Sequence, residues 1–312
     1  MKDKLFDIAV IGGGPAGYTA ALYAARAGLS VIVAEQLSAG GQMTEALKID
    51  NYPGFENGID GFTLGEKMRQ GAEKYGAETL NAAVTKAELS ETPKRLFYDR
   101  GEIRAETVII AAGADHRKLG LADEERLAGR GVSYCASCDG NFYRGKTVAV
   151  IGGGNSAVAD ALLLSRICSE VHIIHRRDTL RAEKIYNERL KTAGNIFIHF
   201  NRTVKGISGE NTVDGITLGG NGGETEFLPC GGVFISIGRA PRTELFKGIV
   251  KTDENGYIAA DETTATDIPG VFAAGDIRTK PFRQIVTAAA DGAVAAYFAG
   301  KYVLHRTGEK ES

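Results

Sequence analysis

The chain has 312 residues, 43% of them apolar and 24% charged, with a formal net charge of −2. That balance fits an ordinary globular protein of about two domains and argues against nucleic acid or an anionic membrane as a partner. No apolar run approaches the ~18 residues of a membrane span, and four cysteines are too few for a secreted disulfide scaffold.

Taken from the start, MKDKLFDIAVIGGG runs straight into an apolar strand and a glycine turn. We therefore expect no signal peptide and a cytoplasmic protein. Residues 7–35, DIAVIGGGPAGYTAALYAARAGLSVIVAE, predict a strand, a glycine turn, an apolar-periodic helix and a second strand. Residues 147–175, TVAVIGGGNSAVADALLLSRICSEVHIIH, repeat that pattern without a gap. In this strand–turn–helix context the spaced glycines become a dinucleotide signature. Gly12 and Gly152 permit the tight turn, and Gly14 and Gly154 let a pyrophosphate approach the backbone. Gly17 and Ala157 let helix and strand pack closely.

The ends of the second strands differ. Glu35 closes the first copy, where an acid suits the free ribose of FAD or NAD. His175 stands at the matching position, followed by Arg176 and Arg177, with Arg181 close behind. Guanidinium groups beside the ribose suit a 2′-phosphate, so the second copy reads as an NADPH site.

Between the copies lies CASCDG, with Cys135 and Cys138 two residues apart and Asp139 directly after. Such a pair is half of a zinc site, a structural disulfide or a redox centre. Zinc needs further ligands. Cys168 and Cys230 stand apart, and His116, His172, His199 and His305 occur singly, so we expect no metal. Two more strands, ETVIIAAGA (106–114) and GGVFISIGRAP (231–241), occupy corresponding places in the halves. Finally IPGVFAAGDIRTKPFRQIVTAAADGAVAA (268–296) predicts a strand, a Gly275–Asp276 turn and a helix rich in Ala and Val. An acid at that turn, with Arg283 and Gln284 ahead of the helix, suits the hydroxyls of a long flavin cofactor. The expected class is α/β, with two Rossmann-like dinucleotide-binding domains, the second inserted into the first. We place the first domain at 1–115 and 245–312, and the second, carrying the CxxC, at 116–244.

Over essentially its whole length the chain resembles the bacterial-type (low-molecular-weight) thioredoxin reductases. GGGPAG (12–17), GGQ (40–42), C-A-x-C-D (135–139), GGGNSA (152–157), HRRD with Arg181, and GVFAAGD (270–276) with RQ (283–284) carry the resemblance. It implies FAD held through Gly12, Gly14, Pro15, Ala16, Glu35, Gln36, Gly41, Gln42, Asn51, Gly275, Asp276, Arg283, Gln284 and Ile285. It implies NADPH held through Gly154, Asn155, Ser156, His175, Arg176, Arg177 and Arg181. It makes Cys138 the flavin-side thiol, Cys135 the thiol that attacks the disulfide of thioredoxin, and Asp139 the acid that manages protons. It also implies a homodimer whose two domains swivel in turnover. The alternatives are another dithiol protein or small disulfide as substrate, electrons taken from ferredoxin, or a flavin reductase passing electrons to ferredoxin. Ferredoxin-linked relatives lack the basic cluster present here. Two positions depart from the family pattern: Ala112, where Thr is usual, and Ala290, where Gly is usual.

Overall fold

The strands flanking each glycine turn are continuous apolar runs, the pattern of parallel strands buried on both faces. In the computed structural model, which describes residues 4–46, 48–220 and 222–308, they lie at the centres of two separate sheets. One compact unit runs to Asp115 and resumes at Ala240; the other is His116–Arg239.

The first unit opens with β1 (Leu5–Ile11), α1 (Pro15–Arg26) and β2 (Val31–Glu35). Then come α2 (Gly61–Glu73), β3 (Glu78–Asn81), β4 (Lys86–Glu88), β5 (Lys94–Tyr98), β6 (Gly101–Ile110) and β7 (Ala114–His116). The sheet order is β3-β2-β1-β6-β5-β4. The first four strands are parallel, and β5 joins the start of β6 antiparallel. The chain therefore leaves β1 in one direction and returns as β6 on its other side. That reversal puts the carboxyl ends of β1 and β6, with their glycine turns, at the crevice where open α/β sheets take ligands.

The second unit contains β8 (Val132–Ser133), α3 (Ala136–Asp139), β9 (Thr147–Ile151), α4 (Asn155–Leu164), β10 (Glu170–His175), α5 (Lys184–Thr192) and β11 (Ile196–Phe200). An antiparallel meander of β12 (Arg202–Ser208), β13 (Gly215–Gly220) and β14 (Thr225–Pro229) follows, then β15 (Gly232–Ile235). Its parallel sheet is ordered β11-β10-β9-β15-β8, with the same reversal between β9 and β15. Val148, Val150, Ala161, Leu164 and Ile173 bury one face of it, and Ile151, Ile174, Ile216 and Val233 the other.

After β16 (Arg239–Pro241), which pairs with β7, the chain returns to the first sheet. There β17 (Val271–Ala273) pairs in parallel with the end of β6, and α6 (Ile285–Thr307) closes the fold. Helices α1 and α6 meet through alanines and glycines. A Cβ on Gly292 would come within 2.1 Å of the Ala16 carbonyl oxygen, so only glycine permits this approach.

In the alanine-rich α6, Asp291 is buried and carries two cations. Its Oδ1 accepts from Arg278 Nη2 at 2.8 Å, and its Oδ2 from Lys280 Nζ at 2.8 Å. The same Oδ2 accepts the Gly275 backbone N–H at 2.9 Å, pinning the turn after β17. Burial alone would raise this carboxyl, but Arg278 and Lys280 overcome it and hold it below the usual range. Asp291→Ala strands both cations and is expected to cost about 3 kcal/mol of stability, read as a lower urea midpoint. The stabilisation in the unsubstituted protein is complete above the ordinary carboxylate pKa and is lost as pH falls through the depressed folded value.

Candidate functional site

In the first unit three glycine turns meet at the start of α1. Gly12 has φ +101°, and a Cβ there would lie 2.5 Å from the Ala111 carbonyl oxygen; one on Gly17 would lie 1.9 Å from that of Gly12. The backbone requires glycine at both. Gly14 is different. Its φ is −78°, a Cβ would meet nothing nearer than 3.9 Å, and no side chain caps the helix it begins, where Pro15 follows. An absent side chain that the fold does not need leaves the first N–H groups of α1 open to a phosphate.

Around that opening, the Gly40 N–H donates to the Gly13 carbonyl at 2.8 Å, and a Cβ on Gly41 would touch Gly14 at 3.4 Å. Gln42 follows on the short helix Gly41–Glu45, its amide donating to Asp115 at 3.1 Å. Gly275 at φ +79° faces Ala16. Arg283 lies over Tyr257, with Cζ 3.9 Å from the ring centroid, and donates to the Asp276 and Arg278 carbonyls. Gln284 caps α6, whose first residue is Ile285, and its side-chain oxygen accepts from Asn51 at 3.0 Å. Glu35 accepts the Gly13 N–H at 2.6 Å and the Leu37 N–H at 3.0 Å, while Gln36 is exposed beyond it. All fourteen positions expected to hold FAD thus belong to one unit, and the glycine cradle fits a diphosphate. Of the two departures from the family pattern, Ala112 packs beside the buried cluster of Ile11 and Ile110. Ala290 is exposed on α6.

The second unit repeats the cradle with other chemistry. Gly152 (φ +150°) would clash with the Ser236 carbonyl if it had a Cβ, whereas a Cβ on Gly154 would meet nothing within 4 Å. Asn155 begins α4 and is tied to Glu183 by two hydrogen bonds, with Ser156 exposed beside it. His175 sits directly against Gly153, as Glu35 does against Gly13. Burial, reinforced by the neighbouring arginines, lowers its imidazole below the usual range, and its Nε2 is buried without a partner. Arg181 donates its backbone N–H to the Gly153 carbonyl at 2.7 Å, which folds the arginine loop back onto the cradle. Arg176, Arg177 and Arg181 are exposed, and among the described residues no carboxylate pairs with them. Three unneutralised guanidinium groups beside an open helix start suit a phosphorylated ribose.

Cys135 and Cys138 are joined in a disulfide at the start of α3, with Cα atoms 5.3 Å apart. The Cys138 and Asp139 N–H groups both donate to the Cys135 carbonyl, at 3.2 and 3.0 Å, which sets the turn. Behind it, a Cβ on Gly140 would come within 3.1 Å of Leu164, so the dithiol turn packs on α4. Burial pushes the Asp139 carboxyl up, and a hydrogen bond from Ser133 partly offsets it. Burial also pushes the Tyr143 hydroxyl up to about 12, helped by the Asp139 charge. Cys168 and Cys230 are buried free thiols, the latter pushed up to about 12 by burial and so unreactive. Among the described residues no group of three His, Cys, Asp or Glu is placed to hold a metal ion, and no helix is long and apolar enough to cross a membrane. Sequence reading missed Ser133 and the Asp291 cluster. A charged residue inside an alanine-rich helix was the available sign of the second.

A family model of the pyridine nucleotide-disulphide oxidoreductases matches residues 6–292. The thioredoxin reductase of Escherichia coli O157:H7 is 46% identical over 311 residues, covering 96% of this chain and 97% of its own. That of Bacillus subtilis (strain 168) is 44% identical over 305 residues, covering 97% and 96%. The crystal structure of thioredoxin reductase from Streptococcus pyogenes MGAS5005 superposes with a TM-score of 0.90 at 42% identity, covering 96% of this chain and 99% of that one.

Proposed function

The chain belongs to the pyridine nucleotide-disulphide oxidoreductase family and, within it, to the thioredoxin reductases, and we propose that Cys135 and Cys138 are the dithiol with which it reduces the disulfide of thioredoxin. The observation that carries this reading is the Cys135–Cys138 disulfide, set on a helical turn of the unit that also holds the arginine-flanked cradle. FAD belongs to the first unit, at the fourteen positions that gather around the start of α1 and α6. NADPH belongs to the second, with Gly154, Asn155 and Ser156 at the pyrophosphate and His175, Arg176, Arg177 and Arg181 at the phosphorylated ribose. When bound, the cofactors supply hydride from NADPH to FAD and two electrons onward to the disulfide.

The chain's own residues then perform the exchange. The Cys135 thiolate attacks one sulfur of the partner's disulfide, a mixed disulfide forms, and the partner's other sulfur leaves as a thiolate. The Cys138 thiolate next attacks the Cys135 sulfur, re-forming the intrachain disulfide and releasing the partner's second thiolate. Two protons move from the cysteines to the partner's sulfurs. Asp139, whose buried carboxyl is pushed above the usual carboxylate range, is suited to carry them. The resemblance also implies that the enzyme acts as a homodimer.

The test is NADPH oxidation by the FAD-loaded protein with purified thioredoxin, and with ferredoxin in parallel. Oxidation that depends on thioredoxin is expected. Electron transfer to ferredoxin with none to thioredoxin would overturn the assignment.

A further inference from the structure

Ser133, at the end of β8, stands two residues before Cys135 and six before Asp139, and its hydroxyl touches both. Its Oγ lies 2.6 Å from Asp139 Oδ2 and accepts the Cys135 backbone N–H at 3.1 Å. A serine hydroxyl has one proton to give and two lone pairs. Two acceptors compete for that proton: the carboxylate at 2.6 Å and the Cys135 carbonyl at 3.5 Å. The first distance is that of a short charge-assisted hydrogen bond and the second lies at the outer limit of any hydrogen bond, so the proton points to Asp139. The Cys135 N–H fills one lone pair and fixes the rotor. Ser133 is 4% exposed, so water does not compete for this contact.

We propose that Ser133 is a positioning residue for proton transfer at the dithiol: its hydroxyl aims the Asp139 carboxyl and registers it against the backbone of Cys135. The inference rests on the reading of Asp139 as the proton carrier. In the transfer itself the Asp139 O–H bond breaks as an S–H bond forms on a leaving thiolate, and no electrons change hands. The contact survives both states. While Asp139 is ionised, Ser133 donates to it. Once Asp139 is protonated, the free lone pair of Ser133 accepts the carboxyl O–H, and the hydroxyl proton turns toward the Cys135 carbonyl. The carboxyl therefore keeps one position through the cycle. Burial favours its neutral form, and Ser133 opposes that by stabilising the charged one.

The test is a cycle of Ser133→Ala, Asp139→Asn and the double variant in the FAD-loaded enzyme, following thioredoxin reduction across pH. Ser133→Ala is expected to slow exchange about tenfold, the size of one hydrogen bond to a charged group. It should also move the Asp139 limb of the pH profile upward by about one unit, because the ionised carboxyl loses its donor. In the Asp139→Asn background the same substitution should change the rate less than about twofold. Ser133→Thr, which keeps the hydroxyl, should leave the limb in place. Equal losses in both backgrounds, or a limb shifted as far by Thr as by Ala, would overturn the proposal and make Ser133 a support of the Cys135 turn. Unchanged exchange in Asp139→Asn alone would instead overturn the role of Asp139 while leaving the thioredoxin assay intact.

Discussion

Replacing Cys135 by serine is expected to lower thioredoxin-dependent NADPH oxidation by more than about a thousandfold, because the substitution removes a bond-forming atom rather than a supporting contact. A serine oxygen forms no mixed disulfide, and the Cys138 thiol then has no intrachain sulfur on which to close. Beyond opening the Cys135–Cys138 disulfide, the change is structurally small. Cys135 is half-buried at the N-cap of α3, where serine is itself a favoured cap, and its carbonyl still accepts the Cys138 and Asp139 N–H groups. Stability should therefore match that of the reduced, dithiol enzyme while turnover vanishes, a separation that thermal melting and steady-state assay can show together. The proposed cofactor sites lie on other residues, so the variant should still bind FAD and oxidise one equivalent of NADPH. Turnover within about tenfold of the unsubstituted enzyme would exclude the dithiol exchange outright.

The repeat made the two sheets legible, because a continuous apolar run, a glycine turn and a 3.6-residue period are local signals. Contacts between distant residues carried none. The runs 106–114 and 231–241 read as single strands, yet each breaks at a glycine with positive φ, Gly113 at +76° and Gly238 at +105°. Beyond the breaks the chain resumes as β7 and β16, which pair with each other across more than a hundred residues. Asp115 and Arg242 tie the same two segments by three hydrogen bonds of 2.8–3.0 Å. Composition does not announce such a ladder, since neither partner is apolar or alternating. Ser133 escaped for a related reason. Its importance depends on the turn of α3 bringing Asp139 back over β8, and one serine in VSYC has no periodicity to betray that. The glycine motif already implied a division of labour. In the structure the backbone requires glycine at Gly12 and Gly17 but not at Gly14 and Gly154.

That division leads to the coenzyme preference, where the second large effect is expected. Replacing Arg176 and Arg177 together by alanine should reduce kcat/KM for NADPH by about 10²–10³-fold, since in the proposed site each guanidinium supplies a charge-assisted contact to a phosphate dianion. Both side chains are exposed, so solvent screening keeps the loss below what two buried contacts would give. NADH has no 2′-phosphate, and its kcat/KM should change less than about threefold. Raising ionic strength should weaken NADPH in the unsubstituted enzyme and barely touch NADH, because surface charges lose reach as the Debye length shrinks. His175 does not supply this charge. Burial and the adjacent arginines hold its imidazole below the ordinary histidine range, so it stays neutral across neutral pH, and the preference for NADPH should be flat there. Where the first unit places Glu35 against its glycine loop, the second places an uncharged ring, which leaves the sign of the pocket to the arginines. An unchanged ratio of NADPH to NADH in the double variant would remove the phosphate from this loop. A lost preference with NADH use intact would fix it there, because general damage to the cradle at Gly154 would depress both coenzymes alike.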